Sequence, residues 1–516
     1  MGPTPPADSD ATETENERSS GGFSLHDPGS GHPDGKPTWT GVLSTSLGGC
    51  NNGEWDIQGG AVGDFGELDW LVLDFMLAHE IPNGALCVVA GDGRLVYCKG
   101  FTWCDLLTKH GERVIRTDAH TRLRIASLSK AITAAATMAA VEDGVFGELG
   151  VNAPAFAWVS ALDSDGILRV PELLNVRIRN LLTHSGGWVE DGAAYGAYPI
   201  LPVGSLVTWY SPNFMPDRND VNFAQTLNGG RTPIDAPLIR QATNAIGLTW
   251  DPAEDTNWSY NNYGWSLLGQ ILAAATGEDY VTYVQERVLD RIGATDSQSG
   301  SSATRAPREV RYYGDLFPDE ITDDSSKGKY PNVNADFDAW PETAPGASPA
   351  CAPELPCGPA PYCYFRLENS PSGSGWISSI YDWALLMRDL FVGPSEVLTP
   401  AGIAQLLGGD AIAYDASRSQ YYAWMEYDSG DFYKAGDLPG TIAWAYNAGP
   451  TFETRWGEQV TVRGPSHAFF FNRGNGELTG SVGGPSPKEE FKQSLQARIA
   501  ELIAEDTSTA DLWGGV

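Results

Sequence analysis

The sequence predicts an α+β fold whose sheet is assembled from segments far apart in the chain. Strand-like runs stand at both ends of the body: Ala85 to Val89 and Leu95 to Phe101 near the start, then Tyr421 to Tyr427, Thr441 to Tyr446, Gln459 to Val462 and Ala468 to Asn472 near the end. Helical signals fill the interval, and a closing amphipathic segment, Lys488 to Ala504, follows Pro485-Ser486-Pro487. Strands so widely separated bury an apolar face only by pairing with one another and packing against the helices between them.

Taken in order, residues 1 to about 35 are too polar to bury a core, with Pro-Thr-Pro-Pro and Glu-Thr-Glu-Asn-Glu among them, and 1–60 reads as a disordered acidic tail and lead-in. That stretch has no basic start and no apolar h-region, so it does not read as a signal peptide; it fits the mature part of an exported protein, or of a lipoprotein whose anchor is lost. One domain is expected over 61–505, with a helical subdomain at about 120–280, a Cys- and Pro-rich insertion at about 296–365, and a tail at 506–516.

Within the domain, Leu68 to His79 reads as an amphipathic helix. The two early strands flank Ala90-Gly91-Asp92-Gly93-Arg94, and Asp-Gly is a strong hairpin signal. With Asp92 and Gly93 as the loop, Cys87 falls opposite Cys98, either bridged or packed as two small apolar residues. Arg124 to Ala136 reads as a buried helix, apolar almost all round beyond Ser127. Val176 to Trp188 is a short helix closed by a glycine stop, with His184 as a structural histidine. Leu267, Leu268, Ile271 and Leu272 mark another helix, with Tyr260 and Asn262 just before it. Gly373 to Met387 reads as a turn entering a helix capped by Ser378 or Ser379, with Asp382 in the first turn.

Composition narrows the function. Thirty-three Lys+Arg against 66 Asp+Glu give a net charge of −33, which argues against nucleic acid or an anionic membrane as partner. No apolar run is long enough to span a bilayer. Seven cysteines include no C-x-x-C; Cys351, Cys357 and Cys363 share a Pro-rich loop without histidines, which favours loop-stapling disulfides over zinc, and hence an extracytoplasmic location.

The chemistry centres on Ser127 and Lys130. At i,i+3 on a helix the two side chains are neighbours, so the amine can take the serine proton if partly desolvated. A chance pair is the competing reading, and the chain supplies one for comparison: Ser326 and Lys329 have the same spacing in a polar loop that excludes no water. Only nine lysines occur, and placing one in an apolar helix is costly without a purpose, which favours Lys130. Tyr260, at the irregular start of a helix, serves as a base only if nearby ammonium groups stabilise its phenolate. Lys434-Ala435-Gly436 lies in a strand-like run, where Ala435 and Gly436 let a substrate backbone approach the strand edge closely, with the Lys434 ammonium at one end of the cleft.

In this order, Ser127-x-x-Lys130, Tyr260-Asn261-Asn262 and Lys434-Ala435-Gly436 resemble the motifs of the serine β-lactamase and penicillin-binding transpeptidase superfamily, in its class C-like branch with D-peptidases and family VIII carboxylesterases. Thr183-His184-Ser185-Gly186-Gly187 and Ser378-Ser379-Ile380-Tyr381-Asp382 resemble framework segments of that branch. The resemblance spans about residues 65 to 505. It implies an antiparallel sheet built from N- and C-terminal segments, flanked by helices and set beside an all-helical subdomain. It also implies Ser127 as acylated nucleophile, Lys130 as its proton acceptor, Tyr260 as the base for leaving group and water, Asn262 as orienting the substrate, and Lys434 as holding Tyr260 anionic or binding a substrate carboxylate. The N–H groups of Ser127 and Asp437 would form the oxyanion hole, where one donor is worth roughly 3 kcal/mol. The resemblance implies no cofactor or metal, and a small-molecule ester or amide as substrate; the oligomeric state stays open. No G-x-S-x-G elbow is present, against an α/β-hydrolase.

Ala435 replaces the threonine that in β-lactam and D-peptide enzymes helps grip a substrate carboxylate, which tilts the reading to neutral acyl substrates. Trp188, Tyr195, Trp209 and Tyr210 are candidates to line an acyl pocket, or are plain packing. Esterase ranks first, D-peptidase or β-lactamase second, and a non-catalytic penicillin-binding-like receptor third.

Overall fold

The computed structural model describes residues 55–79, 81–103, 115–161, 167–168, 170–188, 248, 250–254, 257–301, 305–312, 370–427, 429–438, 440–449, 451–455, 458–473 and 485–516. Ser326, Lys329, Tyr195, Trp209, Tyr210 and five of the cysteines lie outside them.

Early in the chain come strands β1 (Trp55–Ala61), β2 (Asn83–Val89), β3 (Leu95–Trp103) and the short β4 (Leu123–Arg124). Among the described residues, the middle adds β5 (Gln298–Ser299) and β6 (Trp376–Ser378). The late strands are β7 (Ile412–Ala413), β8 (Arg418–Gln420), β9 (Met425–Tyr427), β10 (Phe432–Leu438), β11 (Thr441–Asn447), β12 (Thr451–Arg455), β13 (Glu458–Val462) and β14 (Ser466–Phe471). Nine of them form one antiparallel sheet in the order β1-β3-β2-β14-β11-β10-β9-β8-β7, so early and late segments meet at the β2–β14 pair, as the fold class requires. Strands β4, β6 and β5 form a small second sheet, and β12 pairs with β13 in a hairpin outside the large one.

The α-helices are α1 (Leu68–Ala78), α2 (Ser129–Glu142), α3 (Ile178–Leu182), α4 (Asn262–Thr276), α5 (Tyr280–Val284), α6 (Ile380–Met387), α7 (Pro400–Gly408) and α8 (Pro487–Glu505). Strand alternation sorts side chains to two cores. On one face Leu86, Val88, Ile442, Phe469 and Phe471 pack with α1 and α8. On the other, Ala85, Cys87, Ala443, Ala445 and Phe470 pack with α2, α4 and α6.

Several sequence expectations need correction. The body begins at β1, inside the expected lead-in: Ile57 pairs with Phe101, and the paired glycines 59 and 60 hid the strand signal. Gly59 has φ 123°, and a Cβ there would lie 2.2 Å from the Cys98 carbonyl oxygen, so only glycine lets β1 dock. Residues 506–516 are also part of the body. Leu512 donates its N–H to Leu95 at 3.0 Å, the Asp511 carboxylate accepts from Leu95 N–H at 3.0 Å, and Trp513 Nε1 donates to the Gly93 carbonyl at 2.7 Å. Part of the expected insertion is likewise internal: β5 pairs with β6, and Glu309 is fully buried, accepting from Tyr312 Oη and Ala306 N–H, both at 2.9 Å.

Cys87 does lie opposite Cys98, and both are buried free thiols. The hairpin loop differs from the expected two-residue turn. Ala90 N–H donates to Arg94 O at 2.8 Å, Gly93 takes φ 92°, and a register shift at Val88/Val89 absorbs the extra residue.

Candidate active site

Arg124 belongs to β4 rather than to the helix expected over Arg124 to Ala136; two-residue strands have no period to read. A 3-10 turn, Ala126–Leu128, joins β4 to α2, so Ser127 sits in the turn and Lys130 in the helix's first turn. Ala126 takes φ 48°, a left-handed conformation that costs a non-glycine residue about 1 kcal/mol, immediately before Ser127.

The spacing brings the two side chains together as expected: Lys130 Nζ lies 3.0 Å from Ser127 Oγ. Tyr260 closes the triangle, its hydroxyl 2.6 Å from Ser127 Oγ and 3.0 Å from Lys130 Nζ. Tyr260 precedes α4 because Asn261 is that helix's N-cap, accepting Gly264 N–H at 2.7 Å. Ser127 and Tyr260 are half-buried, whereas Lys130 is fully buried.

Lys130 donates two further, shorter bonds, to Asn262 Oδ1 at 2.7 Å and to the Gly373 carbonyl at 2.8 Å. The Asn262 oxygen therefore turns to the lysine. Gly373 was not foreseen, and no signal could have found it, because any residue offers a carbonyl. Lys434 Nζ lies 5.9 Å from the Tyr260 ring centroid and Lys130 Nζ lies 5.1 Å from it. Burial and then the Lys434 charge hold Lys130 well below the usual lysine range, and burial brings Lys434 to about 7. Both amines thus hold their protons less tightly than a free lysine, which weakens the charge expected to stabilise a Tyr260 phenolate.

Beyond Tyr433, strand β10 pairs, among the described residues, only with β11. Its other edge meets the Ser127 turn, where a Cβ on Gly436 would lie 2.3 Å from Ile125 O and 3.0 Å from Ser127 N. What needs the glycine is thus the chain's own backbone. Asp437, next in the strand, bonds Lys488 of α8 through both carboxylate oxygens at 2.7 Å. Alternation that points Lys434 and Gly436 toward Ser127 points Ala435 the other way, and Ala435 packs with the core that contains Tyr433 and Trp444. The structure does not bring Ala435 together with the triangle.

The end of the Val176 to Trp188 segment departs from expectation. The short helix α3 ends not on a glycine but with His184 itself at φ 60°. Its ring lies 4.5 Å from that of Tyr260. Trp188 is buried in the core, as plain packing, and its carbonyl accepts from Asn261 Nδ2 at 3.1 Å. Trp258 and Tyr414 make an edge-to-face pair at 4.5 Å, with Trp258 6.5 Å from Tyr260. Among the described residues, no three His, Cys, Asp or Glu side chains converge as a metal site, and no helix is long and apolar enough to cross a membrane.

A sequence profile described as Beta-lactamase matches residues 69–455, which includes all three motifs. The chain belongs to the beta-lactamase family. It is thereby a member of a family of serine hydrolases with the β-lactamase/transpeptidase fold. A curated relative, lovastatin esterase from Penicillium rubens, is 24% identical over 373 residues, covering 70% of this chain and 77% of that protein. Two solved structures share the fold: the octameric penicillin-binding protein homologue of Pyrococcus abyssi, 17% identical with a TM-score of 0.51 over 84% of this chain and 78% of its own, and the D-amino acid amidase of Ochrobactrum anthropi, 16% identical with a TM-score of 0.51 over 84% and 99%.

Proposed function

We propose that this member of the beta-lactamase family is an esterase that hydrolyses neutral acyl esters through an acyl-enzyme on Ser127. The observation that carries the chemistry is the triangle of Ser127 Oγ, Lys130 Nζ and Tyr260 Oη, with sides of 2.6, 3.0 and 3.0 Å.

A neutral amine has two N–H groups and one lone pair. In Lys130 the two shortest contacts, to Asn262 Oδ1 and Gly373 O, occupy the N–H groups, which leaves the lone pair facing Ser127. Lys130 takes the hydroxyl proton as Ser127 Oγ attacks the ester carbonyl, and the oxyanion is held by the N–H groups of Ser127 and Asp437. Tyr260 donates its proton to the departing alkoxide and is reprotonated by Lys130 across their 3.0 Å contact. Water then attacks the acyl-enzyme as Tyr260 takes its proton and passes its own to Lys130, and Lys130 returns that proton to Ser127 Oγ as the acid leaves. In this scheme Asn262 orients Lys130, and Lys434 keeps its proton affinity low.

The preference for esters draws support from the esterase among the curated relatives and from the aromatic pair Trp258 and Tyr414 beside Tyr260, which suits an apolar acyl or alcohol group. The test is a panel: a p-nitrophenyl ester, a fluorescent penicillin and a D-amino-acid amide, with turnover and intact mass followed together. Ester turnover with a transient acyl mass, absent in Ser127→Ala, is expected. Turnover of the amide or the penicillin with an inert ester would move the assignment to a D-peptidase or a β-lactamase, and a stable penicillin adduct without turnover would make the chain a receptor.

A further inference from the structure

We propose that His184 is the positioning residue that holds Tyr260 against Ser127 and Lys130, through its main-chain carbonyl, its Nδ1 atom and the face of its ring. This rests on the reading of Tyr260 as proton carrier. The His184 carbonyl accepts the Ser259 N–H at 3.1 Å, and His184 Nδ1 accepts the Asn261 N–H at 3.0 Å. Those two residues flank Tyr260, so a single residue ties the backbone on both of its sides. The imidazole also lies against the phenol ring, centroids 4.5 Å apart and planes 33° apart.

His184 is itself anchored. Its φ of 60° folds the chain back after α3, and Ser185 N–H donates to Asn180 O at 2.9 Å while Asn180 Nδ2 donates to Ser185 Oγ at 2.9 Å. A non-glycine residue in this conformation persists only where its surroundings demand it. An Nδ1 that accepts the Asn261 N–H puts the ring proton on Nε2. Trp265 Nε1–H also points at His184 Nε2, at 3.3 Å, but a neutral imidazole accepts at one nitrogen only, and the shorter bond from Asn261, at 3.0 Å, is the one it takes. An imidazolium would turn an N–H toward the Asn261 N–H, and would sit fully buried near Lys130 and Lys434; burial, then Lys434 and Lys130, hold His184 well below the usual histidine range. The ring is therefore neutral at working pH.

Displacing a proton carrier by about 1 Å costs on the order of 10²-fold in rate, so the clamp acts on kcat. His184→Gly keeps the left-handed backbone but removes acceptor and ring, and should lower kcat about 30- to 100-fold with KM changed less than about threefold. His184→Asn, which tolerates the same φ and offers an oxygen near the Nδ1 position, should recover kcat to within roughly fivefold of the unaltered enzyme. In a Tyr260→Phe background, His184→Gly should add less than about twofold, because residues acting through one group are not additive.

A folded His184→Gly enzyme with full kcat, or one whose loss multiplies that of Tyr260→Phe, overturns the proposal. A slow Tyr260→Phe beside a fast His184→Gly sinks this inference alone, whereas a fully active Tyr260→Phe sinks the reading of Tyr260 beneath it. Nitrogen-15 spectra of histidine-labelled, unaltered enzyme need no variant to fold. An unprotonated Nδ1 on His184 is expected, and an Nδ1–H tautomer refutes the clamp.

Discussion

Asp382 and Lys130 are both ionisable side chains buried in the first turn of a helix, each beside a residue of like charge, yet their hydrogen-bond partners differ. Asp382 stands at the start of α6, where the helix dipole favours a negative charge. One of its oxygens accepts Asp296 N–H at 2.7 Å, Ser297 N–H at 2.6 Å and Ser297 Oγ at 2.9 Å, and Ser379 Oγ caps its own N–H at 3.1 Å. Lys130 stands at the start of α2, the end that disfavours a cation, and its charged neighbour is a second lysine. The first cluster engages its carboxyl with three donors from Asp296 and Ser297 and fastens β5 to α6. The second holds its amine between Asn262 Oδ1 and the Gly373 carbonyl where burial and Lys434 disfavour the cation, and what fold stability loses there the chemistry gains as a proton-accepting amine. Burial alone does not separate staple from reagent; the partners do.

The sharpest way to break this contrast is Tyr260→Phe, which removes one hydroxyl from the Lys130 cluster. The expected loss in kcat is about 10²-fold or more, with the melting temperature little changed. Full activity on every substrate of the panel would return the cluster to mere packing.

The polar groups that do chemistry were legible because each belongs to a residue type the reaction needs, at a spacing a helix or strand explains: Ser127 with Lys130, Tyr260 before α4, Lys434 in β10. The main sheet was legible through alternation in β2, β3, β11 and β14. What escaped has physical reasons. The Gly373 carbonyl carries no side-chain signature, β4 and β5 are too short for a period, and the left-handed turns at Ala126 and His184 occur at residues that give no warning of them. The direction of Ala435 was within reach, since an inward Lys434 forces its neighbour outward.

Lys434→Met sharpens the comparison through two opposed effects. Removing a positive charge beside Lys130 raises the proton affinity of that amine, so the acid limb of the pH–rate profile should move to higher pH. Stability should rise. A lysine held at about 7 in the fold and near its ordinary value when unfolded imposes a penalty that is full below pH 7 and fades as pH climbs toward the unfolded value. The variant should therefore melt higher at pH 6, by the equivalent of a few kcal/mol at most, and the gain should shrink at pH 9. An unmoved acid limb would remove Lys434 from the electrostatics of the site.

The smallest effect on turnover is expected at the other pole. Asp382→Ala strands two backbone N–H groups and a hydroxyl, and should cost about 1–3 kcal/mol of stability with kcat unchanged. Asp382→Asn tests the sign of the titration. Burial raises this carboxyl to about 6, so its ionised form is disfavoured in the fold, and its contribution is full below the ordinary carboxylate value and lost as pH rises through 6. Denaturation at pH 4 and pH 7 should show that slope in the unaltered protein and not in the asparagine variant.

The paired thiols of the hairpin have a practical consequence for labelling chemistry. Maleimides and disulfide reagents attack the thiolate, and burial pushes Cys87 up to about 12 and Cys98 well above its usual value. With seven cysteines in the sequence and these two sealed between β2 and β3, reagent consumed by the native protein counts from a ceiling of five. A fluorophore attached through cysteine will report on the chain elsewhere and never on this hairpin, and an oxidation state inferred from native titration must be set against the same count in denaturant.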